Sequence, residues 1–278
     1  MSPIINYRQG AVCLLLCVSL IFLEAGLVWG NEGVPHRKLE DYNWMEFKKT
    51  VPSKVDTVLL VTGTLEAHGV GYNGADFTVP YHLCQLIGEE VNGIIAPYIP
   101  YGRTVSLAPY PGGFGISEEV FKGYVKDVIE GLAAMGFKNI IIINGHGPNR
   151  QPTDEAATEV ALARNVRCLV IDWWSYTADI TKEVFGEDGG HAGVNENAAM
   201  LAVAPSLIHK ELYSKGLASP LDSSYTAIPS PSTILLYKAG EGYPNFDLHQ
   251  AELYLNKVAE KLAKLIKDTI RRWDEASF

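Results

Sequence analysis

Four short apolar runs constrain this chain most: DTVLLV at 56–61, GIIAPYI at 93–99, NIIII at 139–143 and VRCLVI at 166–171. Each has strand length and is rich in β-branched or leucine side chains. NIIII is apolar throughout rather than alternating, as in a strand covered on both faces. The segments between them carry helical patterns. DFTVPYHLCQLIGEEV (76–91) reads as loop and then helix, and TDEAATEVALAR (153–164) as helix. SEEVFKGYVKDVIEGLAAMG (117–136) predicts a helix capped by Ser117 and ended by Gly136, with Val120, Tyr124, Val128 and Leu132 repeating every four residues as its inner face. NENAAMLAV (195–203) predicts a further helix, and Leu255, Val258, Leu262, Leu265 and Ile266 share one face of a docked tail helix. This alternation predicts an α/β fold with a mostly parallel, doubly wound sheet and helices on both faces.

The N-terminal thirty residues differ from the rest. One arginine precedes the 13-residue apolar run AVCLLLCVSLIFL, followed by EAGLVWG and polar NEG. That order predicts a secretory signal at 1–30 with cleavage after Gly30, leaving a single domain over 31–278 in the periplasm or outside the cell. The alternative is an uncleaved membrane anchor, Glu24 permitting. N-terminal sequencing of exported protein, expected to begin near Asn31, distinguishes the two. The domain keeps Cys84 and Cys168, both in apolar surroundings, which predicts buried free thiols with a disulfide left open. A net charge of −9 without long basic runs argues against nucleic acid and, once a signal is removed, against stable membrane association.

In doubly wound sheets ligands bind beyond the carboxyl ends of the strands. After 56–61 comes TGTLEAHGVGYNGAD, after 139–143 comes NGHGPN, and after 166–171 come DWWSY and then EDGGHAGVNENAAM. These strand ends deliver Glu66, His68, Asp76, His146, His191 and Glu196 to one edge, all of them metal-ligating or acid/base residue types. Singly, each has a plainer role. Asp76 suits a helix cap, His146 a turn hydrogen bond, and Glu196 an exposed first-turn acid. Together, with glycines beside each histidine, they point to a shared site, in which Gly145 and Gly147 leave room for what His146 binds. Trp173 and Trp174 end a strand at the same edge, either as a wall for a small flat substrate or as core packing.

These motifs resemble those of the creatininase family of metal-dependent amidohydrolases. EAHG (66–69), Asp76, PYGRT (100–104), YPGGFGISEE (110–119), GFKNIIIINGHGPN (136–149) and HAGVNENAAM (191–200) follow the family order over roughly 41–205. The resemblance implies a three-layer α/β/α fold, a homo-oligomer (a hexamer) and two divalent ions, zinc, manganese or iron(II). It maps the ligands to Glu66, His68, a bridging Asp76, His146 and Glu196. Pro148 stands where creatininase itself has a carboxylate, so Glu196 takes the last ligand position. Other departures are Val70 and Gly71 in place of a second histidine motif, a His68-to-Asp76 interval one residue short, PGG at 111–113, and Asn197–Ala198 after Glu196. They alter the pocket wall and leave the ligands in place.

The implied activity is hydrolysis of a small-molecule amide (creatinine, another cyclic amide, a formamide or a short peptide) by water that a metal pair acidifies toward pH ~7. His191 is then the expected proton donor to the leaving nitrogen, with Asp172 or another carboxylate orienting it; its alternatives are a ligand role or loop shaping. Two rival readings remain. One is another two-metal hydrolase such as a phosphoesterase, for which only Arg103 and Arg150 lie near the motifs. The other is a non-catalytic binding protein on the same fold.

Overall fold

The computed structural model describes residues 33–222 and 224–278. The expected signal segment and its cleavage site, with Cys13 and Cys17, lie outside the described residues. Residues His36–Phe278 form one compact unit, which carries everything that follows.

Its chain runs α1 (Trp44–Thr50), β1 (Thr57–Thr62), α2 (Ala75–Ile87), β2 (Gly93–Ile95), α3 (Glu118–Ala134), β3 (Asn139–Asn144), α4 (Arg150–Arg164) and β4 (Arg167–Asp172). Then come α5 (Trp173–Tyr176), α6 (Ala178–Phe185), β5 (Gly190–His191), α7 (Val194–Val203), β6 (Ala218–Pro220), β7 (Ile234–Leu236) and α8 (Leu248–Glu275). The main sheet has the order β2-β1-β3-β4 and is parallel throughout. The connection from β2 to β3 passes over β1, so the winding reverses between β1 and β3, and a crevice opens at their carboxyl ends. The expected three layers are present. Leu59, Val61, Ile141 and Ile143 face a core shared with α2, α7 and α8. The intervening Val58, Leu60, Ile140 and Ile142 are equally buried on the opposite face, where α3 and α4 pack together.

Strand β2 is shorter than its apolar run. Pro97 has no N–H to donate, so the ladder breaks there, although Ile99 N–H still donates to Val61 O at 2.9 Å. On α3, Ser117 accepts from Val120 N–H as a cap, but the inner face differs from the expected stripe. Phe121, Val125, Ile129 and Leu132 are buried, while Val120 and Tyr124 are 59% and 47% exposed. A strict four-residue repeat drifts around a helix of 3.6 residues per turn, and the mixed 4-4-3 spacing tracks the sheet instead. Phe121→Ala is therefore expected to cost about 3–5 kcal/mol in denaturant unfolding. Tyr124→Ala should stay within about 0.5 kcal/mol. Equal losses would mean that the two faces have been exchanged.

Cys84 is buried and Cys168 half-buried; both are free thiols. Residues 205–247, which carry no clear periodicity, contain the unexpected part of the fold. There β6 and β7 pair in parallel, and β5 adds antiparallel to β7, giving a second sheet β5-β7-β6. Through β5 this sheet holds His191.

Candidate metal centre

Glu66 and His68 lie in the loop after β1, and the loop is folded back on itself. Glu66 N–H donates to Asn73 O at 3.1 Å, Gly71 N–H to His68 O at 2.7 Å, and Phe114 N–H to Leu65 O at 3.2 Å. Asp76 sits in the first turn of α2. It is not a helix cap, the plainer role open to it, because Gly74 holds that position. Its main chain is nevertheless unusual. Pro80 lacks the N–H that would bond the Asp76 carbonyl in a regular helix. The strand ends approach that carbonyl closely. A Cβ on Gly145 would overlap the Asp76 carbonyl oxygen and lie 3.0 Å from Pro80 Cγ, and one on Gly63 would meet the Asp76 carbonyl carbon at 2.6 Å. Gly147, by contrast, faces open space. The two glycines flanking His146 thus have different reasons: Gly145 lets β3 pack on the Asp76 backbone, and only Gly147 leaves open space beside the histidine.

The two asparagines of NGHGPN, to which sequence reasoning gave no role, tie the strand ends together. Asn144 donates to His146 O at 2.7 Å and Asp172 Oδ1 at 2.8 Å, and its Oδ1 accepts from Thr62 Oγ1 at 3.0 Å and from His146 N–H at 3.2 Å. Asn149 donates to Gly63 O at 3.1 Å and accepts from Arg103 N–H at 2.9 Å. A polar residue at each end of so small a loop, beside an all-isoleucine strand, was the available signal. Asp172 is engaged here and by Arg150 Nη1 at 3.3 Å, so it does not orient His191 as expected.

Each of three imidazoles has one ring nitrogen on a backbone carbonyl. His68 Nδ1 lies 3.0 Å from Glu66 O, His146 Nε2 2.9 Å from Arg103 O, and His191 Nε2 2.8 Å from Ala67 O. A carbonyl only accepts, so those nitrogens carry protons and the tautomers are set. The remaining nitrogens turn toward carboxylates. His68 Nε2 is 2.8 Å from Asp76 Oδ1, and His146 Nδ1 is 3.0 Å from both Asp76 Oδ2 and Glu66 Oε1. Asp76 therefore presents one oxygen to each of two histidines. His191 Nδ1 stands farther off, 3.6 Å from Glu66 Oε1 and 3.8 Å from Glu196 Oε2, and its side chain is 15% exposed. Glu196 Oε2 accepts from Ala192 N–H at 2.7 Å and lies 3.8 Å from His68 Nε2. Ala192 is held at φ 50°, a region L side chains enter reluctantly, and this local strain shapes the turn between His191 and Glu196.

The electrostatics follow. Burial opposes the imidazolium of His68, but Asp76, then Glu196 and Glu66, outweigh it and lift its pKa to about 10. His146 is likewise raised well above its usual value against burial by Glu66 and Asp76. Burial would raise Asp76, yet the two histidines hold it below the ordinary carboxylate range. For Glu196, burial dominates and pushes its pKa up. A pocket that holds positive charge this strongly suits cations.

The donor set fits divalent ions. His68 Nε2 and Asp76 Oδ2 are fully buried without a hydrogen-bond partner, because their short contacts are not aligned for one. With protons on the imidazoles these contacts are met without a metal, and a divalent ion bound by the same nitrogens and oxygens would take the place of the protons. Two overlapping groups have donor atoms within 4.8 Å of one another: Glu66, His68 and His191, and Glu66, Asp76 and His146. His191, expected outside the ligand set, falls within one of these groups by position. Glu196 borders the first of these groups, its Oε2 lying 3.8 Å from His68 Nε2 and from His191 Nδ1.

Above the cluster is a cavity of about 240 Å³. Its wall is largely apolar, with Val105, Leu107, Pro148, Trp174, Leu235 and Tyr237, and among the described residues no lysine or arginine lines it. The two tryptophans separate. Trp174 faces the cavity, whereas Trp173 is 2% exposed in the core behind the cluster, because adjacent residues on a helical turn point in different directions. The small-sheet contribution, Leu221, Leu235 and Tyr237, went unrecognised in the sequence.

The sequence model of the creatininase family, described as creatinine amidohydrolase, matches residues 40–266. Creatinine amidohydrolase of Pseudomonas putida is 25% identical over 187 residues, 60% of this chain and 72% of that protein. The 3-dehydro-scyllo-inosose hydrolase of Thermotoga maritima is 26% identical over 174 residues, 56% of this chain, which spans about half (53%) of that protein. A crystal structure of creatininase superposes with a TM-score of 0.71 at 23% identity, covering 84% of this chain and 98% of its own. Solved creatininases also include a variant in a Zn–Zn form, at TM-score 0.70, and a Mn form, at 0.69. At 23% and 22% identity, covering 86% and 84% of this chain and 98% of each of theirs, they share its fold.

Proposed function

The chain belongs to the creatininase family, and from that premise we propose that it is a metal-dependent amidohydrolase that cleaves a C–N bond of a small amide. The observation that carries this reading is the convergence of Glu66, His68, Asp76, His146 and Glu196 beneath a small, mostly apolar cavity. These five residues would hold two divalent ions, Asp76 with an oxygen toward each. Imidazole and carboxylate donors without a thiolate suit zinc, manganese or iron(II). Such ions supply an acidified water and polarise the amide carbonyl when bound.

The rest is the work of side chains. Trp174 and Pro148 flank the cavity and favour a flat, weakly polar substrate over a heavily charged one. His191 has its Nε2 fixed by Ala67 O, which leaves Nδ1 facing the cavity side of the carboxylates. Its longer distances and partial exposure suit Nδ1, unprotonated in this tautomer, to take a proton from the attacking water and pass it to the leaving nitrogen. A phosphoesterase would need a basic clamp over the ions. Here Arg103 pairs with Glu118 at 3.0 Å, and Arg150 with Asp154 at 2.6 Å, both outside the cavity lining.

The test is metal analysis of purified protein followed by hydrolysis of cyclic amides, formamides and short peptides, with phosphoesters as the contrast. Phosphoester turnover without amide turnover would overturn the proposal. For His191→Ala, metal content should remain and kcat should fall by roughly 10²-fold or more, less for substrates with better leaving groups. Loss of an ion in that variant would instead make His191 a ligand.

A further inference from the structure

Tyr237 lines the metal-side cavity and has no part in the chemistry described so far. It stands one residue beyond β7, and the ladder to β5 continues through it: Tyr237 N–H donates to Gly189 O at 3.3 Å. Along this strand Ile234 and Leu236 enter a small core with Ala192, whereas Leu235 and Tyr237 turn to the cavity, the two-residue alternation of a strand. His191 pairs directly with Leu235, so their side chains share a face, and His191 lines the same cavity. His191 and Tyr237 are therefore diagonal neighbours on one face of the small sheet, about 7–8 Å apart, a span that an aromatic side chain reaches across.

The residue is 46% exposed, so it has surface with which to meet a ligand. Its polar end is nevertheless enclosed. Burial, then Glu196 and Asp172, push the phenol pKa up, and the Trp174 indole acts the other way. The hydroxyl therefore keeps its proton and serves as a donor, not as a base. An indole N–H only donates, so Trp174 can engage only the hydroxyl oxygen and leaves its proton free. Among the described residues no side chain or main-chain group accepts that proton. A hydroxyl of this kind, desolvated but reachable from the cavity, gains most from an acceptor that the ligand brings.

We propose that Tyr237 binds the substrate directly, its hydroxyl donating a hydrogen bond to an acceptor carried on the nitrogen side of the scissile amide. The side is set by His191, which serves the leaving nitrogen from the same face of the small sheet, whereas the ions that face the carbonyl are held by the loops of the main sheet. The proposal rests on the amidohydrolase reading and names which amides that site takes: those whose leaving nitrogen bears a carbonyl or a comparable acceptor nearby. Two probe pairs differ in that acceptor. Hydantoin carries a second carbonyl on its imide nitrogen and 2-pyrrolidinone does not; N-formylglycinamide carries an amide carbonyl beyond the nitrogen and N-formylpropylamine does not.

The experiment compares parent and Tyr237→Phe, both metal-loaded, on each pair. Taking the ratio of parent to variant cancels the intrinsic reactivity of each probe. Tyr237→Phe should keep its fold and its metal content. Its kcat/KM should fall about tenfold on the acceptor-bearing member of a pair, as one net hydrogen bond allows, and stay within about twofold on the other. A merely structural role for the hydroxyl would lower both members alike. Equal losses within each pair, no loss, a lost ion, or amide turnover by the parent that leaves both acceptor-bearing probes untouched would each overturn this inference alone. A parent enzyme that turns over no amide at all would remove the amidohydrolase reading instead.

Discussion

Asp76→Ala should leave a folded protein that has lost most of its bound metal and nearly all of its activity. Asp76 is buried, and its two oxygens lie 2.8 Å and 3.0 Å from the metal-facing nitrogens of His68 and His146. No other carboxylate in the cluster gives one oxygen to each of two histidines at such distances. On the proposed assignment, removing it takes a donor from both ion positions at once. Rate should fall by about 10³-fold or more, at least the effect of deleting one preorganised electrostatic group. Metal content by mass spectrometry, with circular dichroism as the control for folding, checks this. Unchanged stoichiometry with activity within about tenfold of the parent would remove Asp76 from the metal centre. Asp76→Asn keeps the shape and one neutral acceptor, so it should retain more metal than alanine.

Gly145→Ala should be the most damaging single methyl in the site. The added carbon would overlap the Asp76 carbonyl oxygen, which is backbone and cannot rotate away. Overpacking a core typically costs about 1–3 kcal/mol, and a clash with main chain belongs at the upper end or beyond. For a domain of this size about 3 kcal/mol corresponds to a Tm lower by roughly 6–12 °C. Any relief must move α2 away from β3 and carry Asp76 with it, so metal affinity should drop as well. Gly147→Ala is the matched comparison, because its methyl points into open space. If both variants melt alike, the close approach of β3 to the Asp76 carbonyl does not govern stability.

What the sequence disclosed, and what it withheld, divides along physical lines. The parallel sheet was legible because apolar runs of strand length alternate with helical segments, a pattern that local composition records. The ligand-type residues were legible because glycine-rich turns place them just beyond those runs. The inner face of α3 was not legible because Val120 and Phe121 are both apolar, and the choice between adjacent stripes depends on packing against partners distant in sequence. The small sheet was missed because its strands are two or three residues long and carry no periodicity. Nothing local to NGHGPN fixes the partners of Asn144 and Asn149. Their hydrogen bonds run to Thr62, Asp172, Gly63 and Arg103, partners supplied by strands and loops distant in sequence. The role of Trp174 against that of Trp173 likewise depended on which way a helical turn faces.

The backbone-clamped imidazoles have a consequence for how the protein acquires its ions. With tautomers set by main-chain carbonyls and donors limited to imidazole and carboxylate, the pocket offers no thiolate to favour soft metals. Zinc, manganese and iron(II) all accept this donor set, in the general affinity order Mn < Fe < Zn, and a sufficiently abundant weaker binder can displace a scarce stronger one. Occupancy becomes a matter of supply: protein produced in manganese-rich medium and in zinc-rich medium should carry different ions on the same scaffold. The metal recovered with the chain is thus a record of the ion pool in which it folded.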